Sequence, residues 1–362
     1  MMDDRTHHTV IQEWDGEAPL LHEVMRRAGE RHIPWQAAIE VTYRCNLACR
    51  HCYVDDGLKG TERPELSVAE WQRILDALAA SGTLHLLITG GEPLVRADLL
   101  DILEAATERG FFVALLTNGT LVSPEWVAQL RALRPHFVGT SVYGASAESH
   151  DRITQRPGSF RRTVDAIRSL VNAGLTVVVQ ATLMADNVGE IAAMRALVAD
   201  LGATFSLGFS LVPTKGCGLG PQALEAPVGE MLEHLWAEPA VLVEPHQAEP
   251  RVCQAGRGIC SVSPNGDLYP CLLMPLRLGS LRERSFDEIW WQQPPKALVH
   301  LRSLTPADWV ACEGCPDAAF CFRCPGAALG ETGSLTERPP SSCRAAAIRA
   351  RLYHTRKGGS RL

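Results

Sequence analysis

No stretch of this 362-residue sequence approaches the roughly 18–20 consecutive apolar residues that a membrane-crossing helix needs. No run of lysine and arginine forms a stripe able to track a phosphate backbone. With a net charge of −6 and a pI near 6.1, nucleic acid is excluded as the main partner. The opening residues, Met1-Met-Asp-Asp-Arg-Thr-His-His8, carry no apolar export core, so the sequence reads as that of a cytoplasmic protein. What remains is an ordinary soluble composition, 46% hydrophobic and 21% charged, long enough for one large α/β domain and a smaller one.

Against that plain background stand twelve cysteines. Oxidised disulfide frameworks belong to short secreted chains, whereas this chain is large and gathers its thiols in C-x2-C units, the habit of metal and iron–sulfur ligands. Three of them, Cys45, Cys49 and Cys52, lie in Thr42-Tyr-Arg-Cys-Asn-Leu-Ala-Cys-Arg-His-Cys-Tyr53, directly after a strand-like stretch. Three thiolates leave one iron of a four-iron cluster without a protein ligand, and an open metal position is where chemistry takes place.

The chain divides by pattern. A lead-in spans 1–35, with a helix predicted at Pro19–Gly29. From 36 to 212, apolar runs alternate with amphipathic stretches. Trp35–Tyr43, Leu84–Thr89, Phe111–Thr117, Phe137–Val142, Leu175–Thr182 and Thr204–Leu211 read as strands. Helices are predicted from Ser67, with Glu70 completing a capping box, from Ser123-Pro124-Glu125, and over Ser159–Ala173 and Gly189–Leu201. Strands alternating with helices imply parallel βα units, as a partial barrel or an open doubly wound sheet, with ligands at the C-terminal strand ends. Residues 213–250 read as a connector with a helix near Val228–Trp236. Residues 251–350 form a cysteine-rich unit in which long helices disappear until Ser341–Leu352, and 351–362 are a tail.

Together these motifs resemble the radical S-adenosylmethionine (SAM) family over 36–212 and its cysteine-rich SPASM extension over 253–343. The resemblance implies a partial (β/α)6 TIM-type barrel. It implies a [4Fe–4S] cluster on Cys45, Cys49 and Cys52, with SAM chelating the fourth iron. Thr89-Gly-Gly-Glu-Pro-Leu94 resembles the family's GGEP segment, so Gly90, Gly91, Glu92 and Pro93 are implied contacts of the SAM amino group. Thr117-Asn-Gly119 and Ser141-Val-Tyr-Gly144 resemble ribose-contacting segments through Thr117, Asn118 and Ser141, although Tyr143 replaces the commoner aspartate. Gln180 and Asn187 match weaker polar positions, and Arg152, Arg161 or Arg162 could meet the SAM carboxylate.

The second half opens with Cys253 and a hairpin signal, Pro264-Asn-Gly-Asp267, ahead of Cys271, and continues as Cys312-x2-Cys315-x5-Cys321-x2-Cys324 with Cys343. Carried over from SPASM, Cys312, Cys315, Cys321 and Cys343 hold an outer auxiliary [4Fe–4S] cluster, and Cys253, Cys271 and Cys324 an inner one. Cys260, on the hairpin, is taken as the ligand that completes the inner site, the alternative being a buried strand cysteine with the fourth iron open. The last gap is one residue shorter than usual, which bears on how Cys324 points. Zinc is the competing metal for such knuckles. Cys217 belongs to neither set and is a candidate at the pocket mouth.

The implied function is a radical SAM oxidoreductase that abstracts hydrogen from a precursor peptide, with auxiliary clusters aiding electron transfer. An external flavodoxin- or ferredoxin-type donor and a separate leader-binding carrier protein are the implied partners. Alternatives are a sulfatase-maturating enzyme, small-molecule or cofactor biosynthesis, and a non-catalytic iron–sulfur electron-transfer or redox-sensing protein.

Overall fold

The computed structural model describes residues 19–60, 63–236, 238, 245 and 253–358. The lead-in as far as residue 18, most of the connector after Trp236 and the end of the tail lie outside them. Six parallel strands follow the apolar runs: β1 Gln36–Glu40, β2 His85–Thr89, β3 Phe112–Leu116, β4 Phe137–Ser141, β5 Val177–Thr182 and β6 Thr204–Gly208. Each is shorter than its run, because the residues beyond the strand ends leave the ladder and build loops.

The helices decide between the two architectures left open by the pattern. Trp71, Ile102, Leu130, Ile167 and Met194, each from a different helix, share one core with Ile39, Ile88, Leu115 and Val138 of the sheet. The alternate strand residues Ala38, Leu87, Ala114, Phe137 and Val178 form a second, smaller cluster with Leu272. Helices cover one face of the sheet only, and the other face curves around its own lumen. That is a barrel, and it stays partial, because the strand order runs linearly from β6 to β1 without those two pairing.

Local signals hold where they were strong. Ser67 and Glu70 exchange both capping-box bonds, and the helix Val68–Ala80 buries Trp71, Ile74, Leu75 and Leu78. Each fully buried leucine there contributes roughly 1.5–3 kcal/mol. Ser123 caps the helix Pro124–Leu133 by accepting from the Trp126 N–H. Three helices of the first half were not predicted, the single turn Asp56–Lys59 and the longer Leu99–Glu108 and Ala147–Thr154. The C-terminal half also holds short helices, Lys296–Ser303 and Pro325–Thr332, before the long Pro340–Gly358.

The composition break near Arg251 suggests a unit apart, yet the backbone joins the two halves. The hairpin strand β7 Ile259–Val262 pairs in parallel with β1, Gln36 opposite Ile259 and Ile39 opposite Val262. Strands β8 Asp267–Tyr269 and β9 Gly279–Ser280 continue antiparallel, giving one nine-stranded sheet among the described residues. The chain then leaves β8 through Cys271 and brings Leu272 into the lumen against the strands' inner residues.

Candidate metal and cofactor site

The cysteine triad sits on the loop that leaves the C-terminal end of β1. The loop after β2 is zipped onto it: the Gly91 N–H donates to the Thr42 carbonyl at 2.7 Å and the Glu92 N–H to the Arg44 carbonyl at 2.9 Å. Here the glycines earn their place. A Cβ on Gly90 would lie 2.3 Å from the Thr42 carbonyl oxygen, and one on Gly91 would lie 2.4 Å from that of Arg44. Only bare backbone lets the two loops approach this closely.

Glu92 is fully enclosed. Its carboxylate accepts from the Leu94 N–H at 3.0 Å, the Thr117 hydroxyl at 2.7 Å and the Asn118 N–H at 2.6 Å. Burial pushes the carboxyl above its ordinary value, against those hydrogen bonds, which favour the charged form. Glu92 therefore locks the ends of β2 and β3 together, and the backbone around it is what faces the triad. Pro93, also buried, starts a single 3₁₀ turn. The Asn118 amide donates to Asn46 at 2.9 Å, and Asn46 donates to Thr120 at 2.8 Å, which ties the end of β3 to the residue beside Cys45.

Cys45, Cys49 and Cys52 are half-buried, and all twelve cysteines are free thiols. Burial pushes each of the three up, Cys49 to about 12, with repulsion from Cys52 and Cys45 adding to it. A bound cation reverses that balance, because a coordinating thiol is deprotonated outright. Three free thiols on one loop, with the Lys59 ammonium favouring their thiolates, fit a cluster ligand set. Among the described residues, no three Cys, His, Asp or Glu side chains converge on a single metal ion, whereas a four-iron cluster takes each thiolate on a separate iron.

The unpredicted helix Ala147–Thr154 supports this loop: the Ala48 and Arg50 N–H groups donate to the Thr154 and Ile153 carbonyls at 3.1 Å each. A signal for it existed in Ser146, whose hydroxyl caps the Ser149 N–H. Tyr143, at the position where aspartate is commoner, sets its ring edge-on to His51 at 4.4 Å and stacks on His150 at 5.8 Å. Ser141 ends β4 half-buried beside it, and Gln180 is half-buried on β5, with its carbonyl accepting from the Val142 N–H.

Asn187 has its side chain engaged within the protein. Its amide donates to the Tyr143 and Thr182 carbonyls at 3.1 and 3.0 Å and accepts from the Met184 N–H at 2.7 Å, so it braces the loops after β4 and β5. Both amide hydrogens are taken up by these bonds, and the side chain is buried. Of the three arginines, Arg152 turns to Asp186, and Arg161 and Arg162 are exposed on their helix.

His150 gives this region a pH dependence. Its Nδ1 accepts from the Tyr143 N–H at 3.2 Å, and burial lowers its pKa to about 4. The unfolded chain, with histidine near 6.5, then binds the extra proton first, so stability is lost as pH falls from 6.5 to 4. Urea unfolding across that window should show about 3 kcal/mol less of this loss in His150→Asn, which keeps an acceptor and removes the titration.

In the C-terminal half the thiols fall into two groups. Cys253 is pushed up by burial and repelled by Cys324 and Cys271, and Cys271 is in turn repelled by Cys324. The shortened gap therefore still directs Cys324 to this group, where it also caps the helix Pro325–Thr332. Cys312, Cys315, Cys321 and Cys343 form the second group, with Cys321 pushed to about 11 by burial first and by the other three thereafter. Cys260 stands apart. It is 2% exposed, packs with Val262 in the helix-side core, and feels Cys271 alone among the cysteines. Cys217 is exposed on a tight turn, with a φ of 63° and its N–H on the Thr214 carbonyl at 2.8 Å.

A model of the Radical SAM superfamily matches residues 39–198, and a model of an iron–sulfur cluster-binding domain, SPASM, matches 253–316. The AdoMet-dependent heme synthase of Methanosarcina barkeri is 31% identical over 345 residues, covering 85% of this chain and 96% of the relative. Mycofactocin maturase MftC of Mycolicibacterium smegmatis is 30% identical over 329 residues, covering 84% and 81%. Among solved structures, Streptococcus suis SuiB bound to its precursor peptide SuiA shares the fold, with a TM-score of 0.67 over 89% of this chain and 79% of that one at 16% identity.

Proposed function

Because this chain belongs to the radical SAM superfamily and carries the SPASM iron–sulfur domain, we propose that it matures a ribosomally made peptide by abstracting hydrogen from one of its residues. When bound, a four-iron cluster on Cys45, Cys49 and Cys52, with SAM on its open iron, supplies one-electron cleavage of the sulfonium to methionine and a 5′-deoxyadenosyl radical. The chain's own residues do the rest. The Gly90–Pro93 backbone, held rigid by Glu92, lies against the triad loop, where the SAM amino group would bind. Thr117, Asn118, Ser141 and Gln180, at the ends of β3 to β5, border the place for the nucleoside.

Cys312, Cys315, Cys321 and Cys343 hold an outer auxiliary cluster, and Cys253, Cys271 and Cys324 an inner one. Cys260 is left to the core. A flavodoxin- or ferredoxin-type carrier supplies the first electron. One observation supports this above others: the triad loop, the glycine loop and the exit of the hairpin at Cys271 come off strand ends that share one continuous sheet around one lumen. The kinship with a maturase favours a peptide. Among the described residues, no helix is long and apolar enough to cross a membrane.

A second substrate class rests on the heme synthase relative, most of whose length this chain covers. Anaerobic reconstitution should load about twelve irons per chain, four for each cluster. The reduced enzyme, given SAM and peptides encoded beside its gene, should form 5′-deoxyadenosine together with a peptide that has lost a hydrogen pair. Turnover of an iron-loaded tetrapyrrole, with every such peptide unchanged, would replace the peptide by a small molecule. Loading of about four irons would remove both auxiliary clusters.

A further inference from the structure

Glu40 and Lys215, 175 residues apart in sequence, form a buried ion pair at the C-terminal end of β1. Glu40 is wholly enclosed and Lys215 is 9% exposed. Glu40 lies on the same strand face as Ala38, so the pair stands at the top of the lumen. Three tyrosines cage it. The Tyr53 hydroxyl donates to Glu40 at 3.0 Å and that of Tyr43 lies 3.4 Å away. The Lys215 ammonium sits 5.6, 5.9 and 5.3 Å from the ring centres of Tyr43, Tyr53 and Tyr269.

The backbone is equally committed. The Lys215 N–H donates to the Tyr53 carbonyl at 2.9 Å, and the Gly216 N–H to the Asp55 carboxylate at 2.8 Å. Tyr53 directly follows Cys52, and Tyr269 stands two residues before Cys271. One ammonium is thus held by the loop of the radical-generating triad and by the strand that leads to the inner auxiliary thiols.

Stability alone does not account for such a pair. Desolvating two charges costs more than most buried ion pairs return, and apolar replacements of similar volume are often neutral or better. A fixed cation does have an electrostatic effect on a neighbouring redox centre, because the reduced form carries one more negative charge. The Tyr269 ring that holds the ammonium at 5.3 Å stands on the strand that leads, two residues on, to Cys271.

We propose that Lys215 is a positioning residue for electron transfer: its caged ammonium raises the reduction potential of the centre held by Cys253, Cys271 and Cys324. This rests on the assignment of an inner auxiliary cluster to those thiols. A carbon-centred substrate radical that closes to a new bond gives one electron to that centre and one proton to solvent; the centre is reduced by that electron alone. Lys215 favours the transfer by stabilising the extra negative charge. Glu40 fixes the ammonium in place and partly cancels its field, so the two residues pull the potential in opposite directions.

The test is a redox titration of the reconstituted holoenzyme followed by electron paramagnetic resonance, on the wild type and four variants. Lys215→Met should make reduction of the inner centre about tenfold less favourable, which is about 59 mV for one electron. Glu40→Gln should shift it the other way, and Lys215→Arg, which keeps the charge but not the fit of the ammonium in its cage, should stay closer to the wild-type value than Lys215→Met. The double variant Glu40→Gln/Lys215→Met leaves no unpaired buried charge and should fall between the two singles, which keeps the test open if Lys215→Met folds poorly. Shifts of the same sign in Lys215→Met and Glu40→Gln, or no shift in any variant, would overturn the proposal. A wild-type enzyme without an inner-centre signal would instead overturn the cluster assignment beneath it.

Discussion

A chain with Cys45, Cys49 and Cys52 all replaced by alanine is expected to form no 5′-deoxyadenosine above background, while keeping about eight of about twelve irons. The two halves of that result separate the centres. The thiols that act on Cys253 and Cys321 all belong to the C-terminal half, and none is of the triad. Iron loading should therefore fall by one cluster rather than collapse. Loss of all iron would mean that the auxiliary sites form only around the first cluster. Persistent 5′-deoxyadenosine would remove the triad from the chemistry altogether and leave an electron carrier as the better description.

Gly91→Ala should have an effect of similar size by a different route. The added methyl would stand 2.4 Å from the Arg44 carbonyl oxygen and 2.6 Å from that of Tyr43, both backbone atoms with no rotamer to escape into. Overpacking a flexible side chain typically costs about 1–3 kcal/mol, and a fixed backbone clash lies at or above the top of that range. The loop after β2 would have to withdraw, breaking the bonds from Gly91 to Thr42 and from Glu92 to Arg44 that align the triad. The expected outcome is near-complete loss of SAM cleavage, with a Tm several degrees lower. Gly110→Ala, at a glycine whose Cβ would meet nothing within 4 Å although its φ is +78°, should lower Tm modestly and spare SAM cleavage. Equal loss in both variants would show that the defect is general unfolding rather than misplacement of the triad.

Much of this architecture could be read from the order of residues, and the reasons differ from place to place. The helix after Ser67 was legible because its cap, first-turn acid and apolar spacing all lie within a dozen residues and agree. The triad was legible because thiol spacing on one loop is local. Glu92 was only half legible. Its motif marks the site, yet its work is to accept three bonds from groups 2 to 26 residues away, a role no spacing announces. The bracing bonds of Asn187 were hidden for the same reason, since a polar residue near a strand end looks the same in sequence whatever it bonds to.

The Glu40–Lys215 pair lay beyond sequence reasoning. A carboxylate closing an apolar strand and a lysine in a glycine-rich turn carry no mark of each other until the barrel brings them together. The pairing of β7 with β1 was hidden in the same way. Both strands are short, five and four residues, and composition alone assigned them to different units.

That pairing bears on how the protein comes into being during synthesis. Strand β1 leaves the ribosome more than two hundred residues ahead of the strand that covers its outer side. Through all that time one row of its N–H and C=O groups faces outward as a ready template for any other extended chain. The barrel half is therefore a poor candidate for independent life. Cut away from its cysteine-rich partner, it would present a sticky flank, and a separately made partner would lack the ladder on which its hairpin rests. Two segments that look like interchangeable modules along the chain are, at this seam, halves of a single object that must be completed before either is safe from aggregation.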